Sequence, residues 1–237
     1  MREVNTASAC VSRMIWALQN EERVTAEPGG QGECPCCRGD VLAKCGSIVT
    51  WHWAHKADDC DTWHEPESEW HIGWKRRFPE DWQEVVVGNH RADVKTPKLV
   101  VELQASSISA ETIQEREQHY RNMVWLLRGE DFKDNLSIRN PVGKCSQCGT
   151  REEIYADLDG CWKCGGSIQP REGYITFRWR WPRKSWWSAQ MPVVIDTGDG
   201  LLLVKKLHAN TPCGGWGVWI TETEFLTRCG ATCTTYA

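Results

Sequence analysis

The sequence predicts an α/β fold with a core that runs helix, strands, helix, strand. A small cysteine/histidine module precedes the core, and a zinc ribbon and a β-rich region follow it. Three observations predict this. A stretch with helical charge order (residues 65–78) precedes two short β-like runs, another helix and a short apolar run. Cysteines fall in tight pairs on either side of that core. In the last third, arginines alternate with aromatic residues through Phe177–Trp181, as on a strand, and a hairpin and a further strand follow. These segments divide the chain into residues 1–62 (N-terminal segment with knuckle), 63–135 (core), 140–168 (ribbon) and 169–237 (Arg/Trp-rich β region).

Composition narrows the function classes. The chain has 237 residues, a formal net charge of -4 and 25% charged residues. That excludes a histone-like binder held by global positive charge and leaves room for a local basic patch. Thirteen cysteines, with pairs at Cys34/Cys37, Cys145/Cys148, Cys161/Cys164 and Cys229/Cys233, suit zinc thiolates in a reducing compartment better than a disulfide framework. The apolar run Val11–Leu18 is broken by Ser12 and Arg13 and is too short to span a bilayer. The expectation is a cytoplasmic protein with no membrane association. Fifteen tryptophans are assigned mostly to cores and to covering small zinc modules.

In chain order, Ser8–Glu22 reads as a short helix, followed by a turn-rich TAEPGGQG. Residues 34–60 offer knuckle spacing at Cys34 and Cys37, with His52, His55 and Cys60 behind; two of these three would close a tetrahedral zinc site. In residues 65–78, Pro66 suits a first turn, acids crowd the start, and Lys75, Arg76 and Arg77 crowd the end. Trp70, Trp74 and Phe78 recur at helical spacing as a core stripe, and Glu67, His71 and Lys75 form a second stripe beside it.

The centre of the core is HRADVKTPKLVVELQAS, residues 90–106. In its second run Glu102 and Gln104 face one way and Val101 and Leu103 the other. If the two runs pair through a turn at Thr96-Pro97, Asp93 comes near Glu102, and converging carboxylates suit Mg²⁺ or Mn²⁺. Ser109 is a plausible N-cap for a helix carrying Ile113, Arg116 and Tyr120 on one face. An inward arginine calls for a carboxylate partner. MVWLLRG (123–129) has the length of a buried strand.

CSQCGTREEIYADLDGCWKCG is the strongest single signal. Cys145, Cys148, Cys161 and Cys164 form two CxxC knuckles, each followed by glycine, which is a zinc ribbon with a closed four-thiolate site. In REGYITFRWRWPRKSWW, Arg178 and Arg180 alternate with Phe177, Trp179 and Trp181, and Arg183 and Lys184 follow. Such a strip can track a phosphate backbone or stack on bases. A hairpin turning at Thr197–Gly200 and a further strand through GGWGVWITETEF complete the chain. His208, Cys213, Cys229 and Cys233 offer a looser third zinc set.

The series CPCC, HWAH, ESEWHIGWK, RADV and VELQASSIS, then a helix with Arg116 and Tyr120 and the run MVWLL, resembles the competence protein CoiA-like family over roughly residues 25–130. That resemblance implies a nuclease-like branch of the PD-(D/E)XK superfamily, whose restriction-endonuclease-like core has the order αβββαβ. It implies Asp93 and Glu102 as the carboxylates for Mg or Mn, with Glu67, His71 and Lys75 as the helix motif. Gln104 would stand where most members of the superfamily carry the catalytic lysine. A glutamine can orient water but carries no charge, so Lys75 or Arg116 would have to supply it. The expectation is a Mg-dependent deoxyribonuclease hydrolysing phosphodiester bonds, with DNA favoured over RNA as partner. The alternative is a zinc-dependent DNA- or RNA-binding protein with a retired nuclease core.

Overall fold

The computed structural model describes residues 13–48, 50–56, 60–61, 63, 67–153, 160–208 and 213–231. The chain forms two compact units, Met1–Lys95 and Thr96–Ala237.

The first unit contains β1 (Trp16–Gln19), β2 (Glu22–Thr25), β3 (Gln31–Glu33), β4 (Asp40–Lys44) and β5 (His52–His55). They form one antiparallel sheet in the order β2-β1-β3-β4-β5. The helix expected over Ser8–Glu22 is corrected where it is described: Trp16–Gln19 is a strand. Asn20 and Glu21 take φ of 52° and 67° between the paired residues Gln19 and Glu22. Two consecutive positive φ values make the primed turn that matches strand twist, and they end any helix there. Trp53 anchors the core of this sheet against Met14, Ala17 and Val41, and its indole N–H donates to Val24 O at 3.1 Å.

Next come α1 (Glu69–Lys75) and the antiparallel hairpin of β6 (Gln83–Val87) and β7 (His90–Lys95). Pro66, expected in the first turn of this helix, lies outside the described residues. Ser68 N-caps α1, its backbone N–H donating to His71 Nδ1 at 3.2 Å.

The second unit begins with a turn in which the Thr96 side chain accepts from the Lys98 and Leu99 amides at 3.1 and 3.0 Å. There follow β8 (Val100–Gln104), α2 (Ala110–Tyr120) and β9 (Met123–Arg128), with β8 and β9 parallel and α2 as the crossover between them. Ser109 caps α2 by accepting from Thr112 N at 3.1 Å. β8 is buried at every position, so Glu102 and Gln104 on one face are as enclosed as Val101 and Leu103 on the other. The element order from α1 to β9 is αβββαβ.

The rest of the unit is β10 (Leu136–Cys145), β11 (Arg151–Glu153), β12 (Ile168–Trp179), β13 (Val193–Asp196), β14 (Leu201–His208), β15 (Gly214–Ile220) and α3 (Glu222–Cys229). Its strands run β11-β10-β12-β15-β14-β13-β9-β8, antiparallel except at β13–β9 and β9–β8. The hairpin at Thr197–Gly200 is present, with Thr197 N donating to Gly200 O at 3.0 Å. Gly129 ends β9 where a Cβ would lie 2.8 Å from Asp196 O, so only glycine lets the chain pass β13. TETEF is corrected from strand to helix. Thr221 caps α3 by accepting from Glu224 N at 3.1 Å, and Glu224 reaches back to the Thr221 amide at 2.7 Å.

Candidate functional site

Two clusters of soft ligands are built from turns that the sequence spacing dictates. The β3–β4 connection carries Cys34 and Cys37, and its backbone closes through Cys34 N to Gly39 O at 2.8 Å. Amides turn toward the sulfurs: Cys36 N lies 3.4 Å from Cys34 Sγ and Gly39 N lies 3.3 Å from Cys37 Sγ. His55, at the end of β5, brings Nε2 to 3.5 Å from Cys37 Sγ, and Cys60 Sγ lies 3.8 Å from Cys34 Sγ. The ligand atoms of Cys34, Cys37, His55 and Cys60 all lie within 4.8 Å of one another. A tetrahedral zinc with Zn–S bonds of about 2.3 Å separates its sulfurs by roughly 3.8 Å, so the set fits that ion. Burial and the neighbouring Cys34 and Cys37 sulfurs push the Cys60 thiol up, and a cation held among the sulfurs would reverse that push. His52 is not part of the set. Its Nδ1 faces Thr50 O at 2.9 Å instead.

The ribbon cluster joins Cys145, Cys148, Cys161 and Cys164, again within 4.8 Å. Cys145 and Cys164 are 3.4 Å apart and Cys148 and Cys161 3.6 Å. Each knuckle closes on a left-handed glycine, Gly149 at φ 72° and Gly165 at φ 71°, whose amides donate to Cys145 O and Cys161 O. The Thr150 hydroxyl and amide beside Cys148 bring its thiol down to about 6, a group ready to bind metal as thiolate.

A third arrangement is made of charge alone and lies in the first unit. Lys75 is fully buried on α1, and its ammonium donates to Glu67, to Glu84 at 3.1 Å and to Asp93 at 3.0 Å. Glu84 also accepts from the Ile15 and Trp16 amides at 3.0 and 3.2 Å, and it sits at φ 49°. The register that pairs Gln83 with Val94 and Val85 with Ala92 brackets Glu84 and Asp93 together. Three acids share one ammonium, so they are not equivalent. Burial, together with Glu84 and Asp93, pushes the Glu67 carboxyl up to about 7 against the opposing pull of Lys75. Burial also pushes Glu84 up, but Lys75, Arg91 and the Ile15 amide outweigh it and hold Glu84 below its ordinary range. Lys75 is held protonated: Glu67, Glu84 and Asp93 overcome the cost of its burial. His71, the remaining member of the predicted stripe, is buried with Nδ1 against the Ser68 hydroxyl at 2.8 Å, a capping contact.

In the second unit, Glu102 is buried and takes an ion pair from Arg116 at 2.9 Å, the carboxylate partner that an inward arginine demands. Gln104 donates through Nε2 to Ser106 O at 3.3 Å, and its buried Oε1 has no hydrogen-bond partner among the described residues. Tyr120 is buried on the same helix face as Arg116 and meets the His119 ring edge-on at 4.9 Å.

Residues 20–62 match the family model "Competence protein CoiA, N-terminal domain". The chain carries a CoiA-like N-terminal domain. The matched stretch holds β2 to β5 and all four ligands of the first cluster, so the knuckle lies inside the CoiA-like domain. Comparison with curated proteins and with solved structures gave no match.

Outside the CoiA-like domain the predicted nucleic-acid strip divides. Arg178, Arg180 and Lys184 are exposed. Trp179 is corrected to the core: it is 1% exposed and stacks on Phe132 with centroids 5.0 Å apart. Arg183 is bound to the fold, donating to Ala105 O and Ser106 O at 2.9 and 3.1 Å. Trp181, expected beside Phe177 and Trp179 on the inner face, lies past the end of β12 and is exposed. Cys233 lies outside the described residues. Among the described residues His208, Cys213 and Cys229 form no metal-ligand group, and Cys229 is buried on α3. No helix among the described residues is long and apolar enough to cross a membrane.

Sequence reasoning missed three buried acids. Glu84 completes the charge cluster. Asp61 accepts from Arg91 N at 2.8 Å and pairs with His90 at 2.9 Å. Glu117 accepts from the Trp125 indole at 3.0 Å and from the Gln190 and Met191 amides at 2.9 and 3.1 Å. Glu84 had a signal, an acid inside the apolar run QEVVV. Asp61 and Glu117 had none, because the contacts that bury them include His90 and Arg91 for the one and Gln190 and Met191 for the other, all remote in sequence.

Proposed function

We propose that this protein is a divalent-metal-dependent nuclease acting on DNA, with two structural zinc sites. The observation that carries the reading is the gathering of Glu67, Glu84 and Asp93 on Lys75, three buried carboxylates about one buried ammonium. In the second unit Glu102 and Gln104 stand at i, i+2 of β8, both buried and both offering oxygen, the donor type that a hard cation takes. In this reading, which for Asp93 and Glu102 rests on the resemblance to the CoiA-like family, the two carboxylates would hold Mg²⁺ or Mn²⁺, and the ion would supply an activated water and charge stabilisation at the phosphate. Gln104 orients. Lys75 holds Asp93 in place and supplies the positive charge that a glutamine lacks.

The second reading, a DNA- or RNA-binding protein with a retired core, is favoured by one specific feature. Each proposed ligand already has an internal cation, Lys75 on Asp93 and Arg116 on Glu102.

A cleavage assay on circular and linear, single- and double-stranded DNA with Mg²⁺ or Mn²⁺ separates the two. The nuclease reading expects cutting that Asp93→Asn and Glu102→Gln each abolish, with bound zinc unchanged. Cutting that survives both substitutions sinks the assignment of these ligands. Binding without cutting under either metal establishes the second reading.

A further inference from the structure

The two faces of β12 have opposite chemistry. Phe177 and Trp179 point into the core and are buried, whereas Tyr174, Thr176 and Arg178 occupy the alternate positions on the other face. The register carries that outer face across the sheet: Thr176 pairs with Trp216 on β15, and Trp216 pairs with Lys206 on β14. Trp216 stacks on Tyr174 with centroids 5.8 Å apart and planes 29° from parallel. The Arg171 guanidinium lies 4.1 Å from the Tyr174 ring centroid. One row along, Arg178 pairs with Gly214, and Gly214 pairs with His208. A Cβ at Gly214 would collide with Phe177 O, so the close approach of β15 to β12 requires glycine there and leaves that row bare beside the aromatic pair. Tyr174 and Trp216 are partly exposed, Arg178 and Lys206 are exposed, and Glu172 is a neighbouring exposed acid.

We propose that this face, the Tyr174–Trp216 pair with Arg171, Arg178 and Lys206 around it, binds single-stranded nucleic acid. Bases stack on the two rings and the adjoining phosphates lie on the cations. A sheet surface offers its rings to unstacked bases, a recognition mode in which an aromatic platform holds two or three nucleotides. Bases in a duplex are already stacked and present only their edges, so the surface selects a single strand. The inference rests on the proposed nuclease reading only for the class of ligand, and it places the grip outside the acid clusters.

The test is fluorescence anisotropy with the full zinc-loaded chain and no added Mg²⁺ or Mn²⁺. The probes are labelled oligo-dT and oligo-rU of about twenty nucleotides, long enough for more than one site. Trp216→Ala should weaken binding about tenfold, the loss expected for one base stack, and Trp216→Phe should recover most of it. Lys206→Ala and Arg178→Ala, surface changes that leave the fold intact, should each reduce the slope of log affinity against log salt by about 0.7. A preference for dT or rU identifies which strand the surface takes. Unchanged affinity in Trp216→Ala together with an unchanged slope in Lys206→Ala overturns the proposal, as does tighter binding to a duplex of the same sequence. Glu102→Gln separates this from the nuclease reading. If the wild type never cuts but the Trp216 effect is present, only the nuclease reading falls. If Glu102 governs cutting while Trp216 and Lys206 change nothing, only this surface falls.

Discussion

Lys75 Nζ donates to Asp93 Oδ1 across 3.0 Å with no part of the lysine exposed to solvent. The same ammonium serves Glu67 and Glu84, so removing it leaves three buried carboxylates without that countercharge. Lys75→Met should destabilise the first unit by about 3–5 kcal/mol, the usual cost of breaking a buried ion pair from one side. Urea denaturation followed through tryptophan fluorescence checks this. A loss under about 1 kcal/mol, the range of exposed pairs, would mean that solvent screens the cluster.

Glu67 gives that cluster a pH dependence with a definite sign. Its carboxyl is pushed up to about 7 from 4.5 by burial, so between those values the folded chain holds a proton that the unfolded chain has lost. Stability from this group is therefore complete below pH 4.5 and is lost as pH rises through about 7. Glu67→Gln is neutral throughout. Its stability relative to wild type should rise between pH 4.5 and about 8 by on the order of 3 kcal/mol. A difference that stays constant over that range would show that Glu67 ionises normally.

The two four-ligand clusters give a prediction by stoichiometry. The purified chain should carry two zinc ions, one for each four-ligand group. Serine at Cys34, Cys37 or Cys60, or alanine at His55, should remove one ion. Serine at Cys145, Cys148, Cys161 or Cys164 should remove the other. His52→Ala should leave both in place, because its ring faces Thr50 O rather than the cysteines. Elemental analysis after mild dialysis reads this directly, and loss of an ion in His52→Ala would reassign the first set.

What the sequence made legible was whatever depends on spacing. The ribbon knuckles repeat at fixed intervals and each closes on a glycine, so Cys145, Cys148, Cys161 and Cys164 could be named outright. The first knuckle was legible only as a choice, because His52 and His55 both lie on β5 and no spacing rule says which ring turns toward Cys37. The strand at Trp16–Gln19 was illegible, since Ala17 and Leu18 suit a helix as well and the turn that decides the matter uses Asn20 and Glu21 rather than glycine. The TETEF helix was missed because its cap follows straight on from an apolar strand. The partners of Lys75 come from the chain just before α1, from β6 and from β7. A helical wheel sees only the stripe.

Glu117 shows how one acid can fasten a loop. It sits on α2 and takes three hydrogen bonds, from the Trp125 indole and from the Gln190 and Met191 amides. Glu117→Ala leaves these donors unsatisfied and should cost about 3 kcal/mol, with faster hydrogen exchange at residues 190 and 191. Glu115 lies on the same helix and is exposed, so Glu115→Ala should stay within about 0.5 kcal/mol of wild type. Equal costs for the two acids would remove the anchoring role.

Arg178 and Arg183 look alike in the sequence and should behave differently. Arg178 projects from β12 into solvent, while the Arg183 guanidinium donates to Ala105 O and Ser106 O and lies 5.0 Å from the Phe132 ring centroid. A guanidinium held by two carbonyls beside a ring is fixed to the fold, whereas an exposed one can swing to a phosphate and release counterions. Arg183→Ala should therefore lower the melting temperature by several degrees, through the loss of about 1–3 kcal/mol of charged hydrogen bonding. It should leave the salt slope of oligonucleotide binding unchanged. Arg178→Ala should do the reverse, flattening the slope by about 0.7 with no thermal shift. Thermal denaturation and a salt titration on both variants decide the point. If Arg183→Ala flattens the slope while its melting temperature holds, the two carbonyl contacts are dispensable and the basic strip continues through Arg183 toward Lys184.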